Sequence, residues 1–373
     1  MKVNLCAHAR FMGMRFWHLT ALLVLGLVSG AYAPSVGAVE TSGLYQATVP
    51  VGDRAQASRD EAFRQALAQV LVKVSGNSKI VLQPAAQKAL KNSSSFVQEY
   101  AYAGKGDGLR LQVKFEPEAI NQWLIRNKLP LWSRERPVVI WWVGVEESSR
   151  QRFILGRLAS AKHGALMQVV EKTAALRGVP VIFPLLDLED RGVVSFSDLA
   201  GGFISPVERA SSRYEANAEV IGILRRQSGE WVGRWQLEFS GQTARWRSVG
   251  VTPASVLENA VNEVADHLAK HLAVVPTSQK EPALLITFRD VQTAAAFARI
   301  EHLLRHFASI RHAYPLSIDG DRVRFRVIPR GQPGDVARNL ALTGWLRPLP
   351  PPFDQAAKAP GGSDSTLYYR YMP

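Results

Sequence analysis

Apolar residues in the first third of the chain recur at helical spacing. Phe63, Ala66, Leu67, Val70, Leu71 and Val74 fall at i, i+3, i+4, i+7, i+8 and i+11, a single stripe along one helix face. Arg59, Asp60, Arg64, Gln65 and Lys73 take the wet side, Asp53 is placed to cap the start, and Gly76 ends the helix because glycine enters the left-handed cap conformation without strain. Residues 44–51 alternate as a strand ahead of it. A short helix near 84–91, strands over 96–102 and 109–115, and a helix over 116–127 with Ile120, Trp123 and Leu124 inward follow.

Periodicity changes after residue 137. Residues 138–145 (VVIWWVGV) are uninterruptedly apolar, the pattern of a buried central strand. A helix over 165–176, a strand over 179–183, a loop-rich stretch and a helix over 206–214 come next. Strands over 220–225, 231–239 and 244–249 follow, with Trp231, Gly233, Trp235, Leu237 and Phe239 on one face and Arg234, Gln236 and Glu238 on the other. That alternation predicts an antiparallel meander with one dry side, closed by a helix over 253–272. From 284 the order is strand 284–288, helix 291–307, strands 310–318 and 322–328, helix 333–342 and strand 346–349, the β-α-β-β-α-β order of a ferredoxin-like domain.

Proline-flanked stretches at 130–137 and 275–282 read as linkers. The expected class is therefore α+β, with three small α/β-sandwich-like domains at 40–130, 138–273 and 282–350, the last ferredoxin-like. A flexible tail, 351–373, has 367–371 placed to add an edge strand. A length of 373 residues with 47% hydrophobic and 21% charged residues suits such a globular, multidomain chain.

The N-terminus changes the meaning of the charge. Lys2, Arg10 and Arg15 stand without an acid, 19–28 is a short apolar run, and 29–38 is rich in small residues, the order of a secretory signal peptide. Cleavage fits after Ala33 or Ala38, and Pro34 beyond the first cut selects Ala38, leaving 1–38 as the signal; Met12 and Met14 are alternative starts. The only cysteine, Cys6, precedes the apolar run instead of following it, so a lipoprotein anchor is not expected. Net charge is +13, and removing three leader bases leaves a large excess. In a periplasmic chain that excess points to an envelope protein or an anionic envelope polymer as partner, with peripheral membrane contact open and nucleic acid excluded.

The segments Tyr45-Gln-Ala-Thr-Val-Pro-Val51, 59–76 (RDEAFRQALAQVLVKVSG) and 109–123 together resemble an exported proteobacterial family known as domain of unknown function 2066. The resemblance implies location and architecture and no activity. The middle region, through Gly178-Val179-Pro180, also resembles the small α/β domains of envelope assembly factors, the Tol–Pal propeller protein among them, which implies interaction and not catalysis.

No catalytic, cofactor or metal site is expected. Gly104-Lys-Gly-Asp-Gly108 precedes a strand, where a phosphate loop must open a helix, so it reads as a hairpin turn. His267 with His271 and His302 with His306 have i, i+4 spacing but no third ligand. Asp187, Glu189, Asp190 and Asp198 cluster in the long loop, the one arrangement that keeps an envelope hydrolase as an alternative. Arg322, Arg324 and Arg326 alternate with Val323, Phe325 and Val327, so three guanidinium groups share one strand face, with Arg330 extending the row. Arg245 and Arg247 flank Trp246 in the same way. These fixed forks suit phosphate or carboxylate, against the simpler reading of a solvated sheet face. The expected role is that of a periplasmic accessory or scaffold protein acting by binding, or a binding module for anionic glycan or lipid.

Overall fold

A computed structural model describes residues 39–41, 43–158, 161–277, 282–351 and 366–372; Ala38 and the leader lie outside them. Among the described residues the chain is mixed α+β, with ten helices, three principal sheets and a two-stranded ribbon.

The first sheet is antiparallel, ordered β2 (Gln46–Pro50), β4 (Arg110–Phe115), β3 (Val97–Ala103). Strand β4 buries Leu111, Val113 and Phe115 and exposes Arg110, Gln112 and Lys114, so one face is dry. Helix α1 (Gln56–Ser75) lays its whole apolar stripe on that face, with α2 (Pro84–Lys91) and α3 (Pro117–Arg126) completing the core. Gly76 takes φ +68° and returns its N–H to the Val72 carbonyl at 2.9 Å. Residues 104–108 join the antiparallel pair β3–β4.

Two details of α1 differ from the sequence pattern. Asp53 does not cap the helix: its carboxylate accepts from the Ala55 N–H at 2.9 Å, and Ala55 holds the N-cap position. Lys73 is not wet. The back of α1 packs against the helix Ala161–Arg177, leaving this residue 8% exposed, with Nζ donating to the Gln46 carbonyl at 2.9 Å.

The stretch 130–137 is no free linker. Leu131 and Val274 exchange backbone hydrogen bonds of 2.9 Å, and Glu135–Arg136 (β5) pairs with Val39–Glu40 (β1). Trp132 is buried in the second core, and the Arg136 guanidinium lies 3.7 Å from its ring centre and donates to the Lys73 carbonyl at 3.0 Å. Burial pushes Arg136 down to about 9. The flanking prolines suggested an exposed connector, but the apolar pair between them supplies an anchor into each neighbouring core.

The second sheet runs β11 (Gln242–Gly250), β10 (Glu230–Phe239), β9 (Ala218–Gln227), β6 (Val139–Ser148), β7 (Gln151–Ile154), with β8 (Val181–Ile182) also beside β6. Helices α4 (Ala161–Arg177) and α8 (Pro253–Leu272) supply the core on one face. The loop-rich stretch is three short helices, α5 (Leu188–Val193), α6 (Phe196–Gly201) and α7 (Ile204–Ser211), which pack on the other face. Consecutive tryptophans therefore serve opposite cores: Trp141 meets Trp235 at 6.2 Å, while Trp142 donates through Nε1 to the Ser211 hydroxyl at 3.0 Å. The expected single dry side is thus replaced by two, the second covering only part of its face.

The third unit comprises β12 (Leu284–Arg289), α9 (Ala294–His306), β13 (Ile310–Asp319), β14 (Arg322–Pro329), α10 (Pro333–Leu340), β15 (Leu346–Leu349) and β16 (Thr366–Tyr371). Its sheet order is β13-β14-β12-β16-β15. Strand β16, expected as an edge strand, lies inside the sheet, parallel to β12 and antiparallel to β15. Tyr369 enters the core beside Phe288, with ring centres 6.1 Å apart, and that burial offsets the entropy of ordering the strand.

Candidate anion-binding face

Strand β14 divides its side chains cleanly. Val323, Phe325 and Val327 are buried under α9 and α10, so Arg322, Arg324 and Arg326 project to the opposite face, where all three are exposed. Arg324 donates from Nε to the Ser317 hydroxyl on β13 at 2.8 Å. Ion pairs of this unit join Arg305 to Glu301, Arg338 to Asp335 and Arg370 to Asp290, and none of them takes Arg322, Arg324 or Arg326.

Register enlarges the stripe. Arg324 stands opposite Thr287 of β12 and Arg326 opposite Leu285, so residues 285, 287 and 289 share the arginine face. Arg289 then aligns with Arg370 of β16, and Arg370 with Arg347 of β15. Six arginines from four strands therefore stand on one sheet face, with Thr287 and Tyr368 between them. Neighbouring strands lie about 4.8 Å apart, so the row 289–370–347 spans about 10 Å. Like charges directly opposite each other destabilise a sheet unless something anionic intervenes. Asp290 pairs with Arg370 at 2.9 Å and Asp319 faces Arg322 across the β13–β14 turn, leaving the face strongly positive. The Arg289 Nε is buried without a partner among the described residues.

Arg330 does not extend this row. The strand ends at Pro329, and the Arg330 side chain turns back to donate to the carbonyls of Ala308 and Ile310, both at 3.0 Å. Burial lowers its pKa, and its role is to fasten the α9–β13 connection.

The loop acids are spent on structure. Asp187 caps α5, accepting from the Asp190 N–H at 3.0 Å, and receives both Arg213 nitrogens at 2.9 Å, which holds its carboxyl below the usual range. Asp190 is fully buried and accepts from the Leu186 N–H and the Tyr214 hydroxyl. Asp198 forms a capping box with Ser195. Glu189, the exposed member of the cluster, reaches the same Arg213 at 3.2 Å, so three of the four acids converge on one guanidinium. The histidine pairs gather no third ligand: His306 Nδ1 meets the His302 carbonyl at 2.8 Å, His267 leans on Trp246 at 5.6 Å, and among the described residues no group of three or more His, Cys, Asp or Glu side chains is placed to hold a metal. No described helix is long and apolar enough to cross a membrane.

A family described as Domain of unknown function (DUF8605) matches residues 38–133. It is a different domain of unknown function from 2066, so the resemblance drawn from 45–51, 59–76 and 109–123 is corrected. No curated protein matches the chain. Similar solved structures include an uncharacterized protein (15% identity, 36% of this chain and 90% of that one, TM-score 0.17) and a competence-damaged protein (CinA) superfamily protein from Enterobacter cloacae (13%, 36% and 80%, TM-score 0.21). A third is the competence damage-inducible protein A (ComA) from Klebsiella pneumoniae (15%, 41% and 92%, TM-score 0.21). At such TM-scores these likenesses carry no inference about fold or function.

Proposed function

We propose that this chain is an exported accessory or scaffold protein of the cell envelope that works by binding, with the arginine face of its third sheet as the contact surface for an anionic partner or polymer. The observation that carries this reading is the convergence of Arg289, Arg322, Arg324, Arg326, Arg347 and Arg370 on a sheet face opposite the two packed helices. Guanidinium forks at fixed spacing match rows of phosphate or carboxylate oxygens, and an open sheet face suits an extended polymer or a lipid surface better than a small molecule. The periplasmic assignment rests on the basic, apolar and small-residue order of 1–38, and the family match starts where that leader would end. We read the third unit as a ferredoxin-like β-α-β-β-α-β domain whose fourth strand is displaced one place outward by β16.

The test is co-sedimentation of the purified protein with envelope fragments, and with phosphatidylglycerol-containing vesicles against pure phosphatidylcholine. Arg322→Glu with Arg324→Glu removes two cations from an exposed face and adds two acids. The expected result is loss of pelleting with an unchanged circular dichroism spectrum. Pelleting equal to that of the parent protein refutes the reading.

A further inference from the structure

The second sheet carries an arginine site of another shape. Helices α5 to α7 cover only the β6–β9 side of their face, and beyond them β10 and β11 floor a groove of about 560 Å³. Gly201 and Gly202, at the end of α6, form one wall. Three arginines line the groove: Arg234 stands directly opposite Arg247, and Arg245 opposite Gln236. No Asp or Glu lines it among the described residues.

Two of these arginines are held in place. Arg234 donates from Nη2 to the Ala200 carbonyl at 3.1 Å, and Arg245 donates from Nε to Gln236 Oε1 at 2.8 Å. Gln236 is itself buried, and its Nε2 donates to Glu238 at 2.8 Å. Arg247 has neither a hydrogen-bond partner nor an ion-pair partner among the described residues. A cross-strand Arg–Arg pair is unfavourable as it stands, and in a concave site an incoming dianion relieves the repulsion while using the donors left over.

We propose that this groove binds a phosphomonoester, with the phosphate held among Arg234, Arg245 and Arg247. Two anchored guanidinium groups and a third with its donors unspent match the oxygens of one terminal phosphate, and the volume falls within the range of about 300–1,000 Å³ typical of small-ligand sites. The site shares no residue with the face on the third sheet, so the two proposals fail separately.

Calorimetric titration of the purified protein with inorganic phosphate at constant ionic strength tests it. Saturable one-site binding is expected, weakened about tenfold or more by Arg247→Gln, partly restored by Arg247→Lys, and unchanged by Arg322→Glu with Arg324→Glu. Arg247 is exposed, so these variants should fold, and circular dichroism checks that they do. Vesicles of phosphatidylcholine with and without phosphatidic acid, offered to the Arg322→Glu, Arg324→Glu protein, separate the sources. Pelleting that depends on Arg247 identifies a lipid headgroup, whereas phosphate binding without pelleting identifies a soluble phosphate ester. Absence of both saturable phosphate binding and Arg247-dependent pelleting overturns the proposal, as does equal phosphate affinity in Arg247→Gln.

Discussion

Ending the chain at Ser365 removes β16 and should unfold the third unit, with the second core losing only what Leu342 gives it. The strand sits between β12 and β15, pairing with five residues of one and four of the other. Its loss leaves two strand edges separated by a gap of about 9–10 Å, too wide for any backbone hydrogen bond. It also takes away Tyr369, 3% exposed and stacked on Phe288, together with the partly buried Leu367 and Tyr371. Fully burying one large apolar side chain contributes about 1.5–3 kcal/mol, and each ladder hydrogen bond a net of about 1 kcal/mol. Several of each approach the whole stability of a small domain, about 5–15 kcal/mol. Limited trypsin digestion reads the outcome directly, because Arg322, Arg324 and Arg326 become cleavable once β14 is released. Tyr369→Ala is the graded version, expected to cost about 3–5 kcal/mol in urea unfolding by analogy with other large aromatic truncations. A truncated chain with the parent's digestion pattern and urea midpoint would show that β16 is dispensable and does not join β12 to β15.

Two further outcomes concern the junction of the first two units. Asp266 pairs with the almost fully buried Arg177, which also donates to Gly76 and Asn262; breaking a buried pair one-sidedly costs about 3–5 kcal/mol. Because Asp266 is 38% exposed and Arg177 keeps its other acceptors, Asp266→Ala is expected to cost about 2–3 kcal/mol in urea unfolding, and no measurable loss would remove this clamp from the account. Burial lowers the Lys73 pKa from its ordinary 10.5, so between the two values the unfolded chain binds more protons and stability rises with pH toward 10.5. Lys73→Met should abolish that alkaline gain, and identical pH profiles for the two proteins would count against an effective buried charge.

Long periodic elements were legible in the sequence because each is stabilised along its own length. Helix α8 begins and ends where its pattern does, at Pro253 and Leu272, since Pro suits a first helical turn and the apolar stripe stops there. Half of the arginine face was legible for the same reason: three arginines alternate with Val323, Phe325 and Val327 inside one strand. The other half was not. Arg289, Arg347 and Arg370 join the stripe only through pairings far apart in sequence, and the position of β16 depends on a core that its own six residues do not describe. Lys73 misled because a helix wheel shows which face is apolar but not how many neighbours the helix has. Arg330 misled because it keeps the parity of the three arginines, although Ile328 already breaks the alternation and the strand stops at Pro329.

Leu131 belongs to the first core and Trp132, the next residue, to the second. The matched family segment closes at residue 133, just past this divide. Excising that segment would carry an indole away from the hollow it fills, stranding a large greasy ring on one piece and a void in the other. Modules joined in this manner cannot be shuffled as freely as beads on a string, because whichever neighbour follows must offer a seat for the tryptophan.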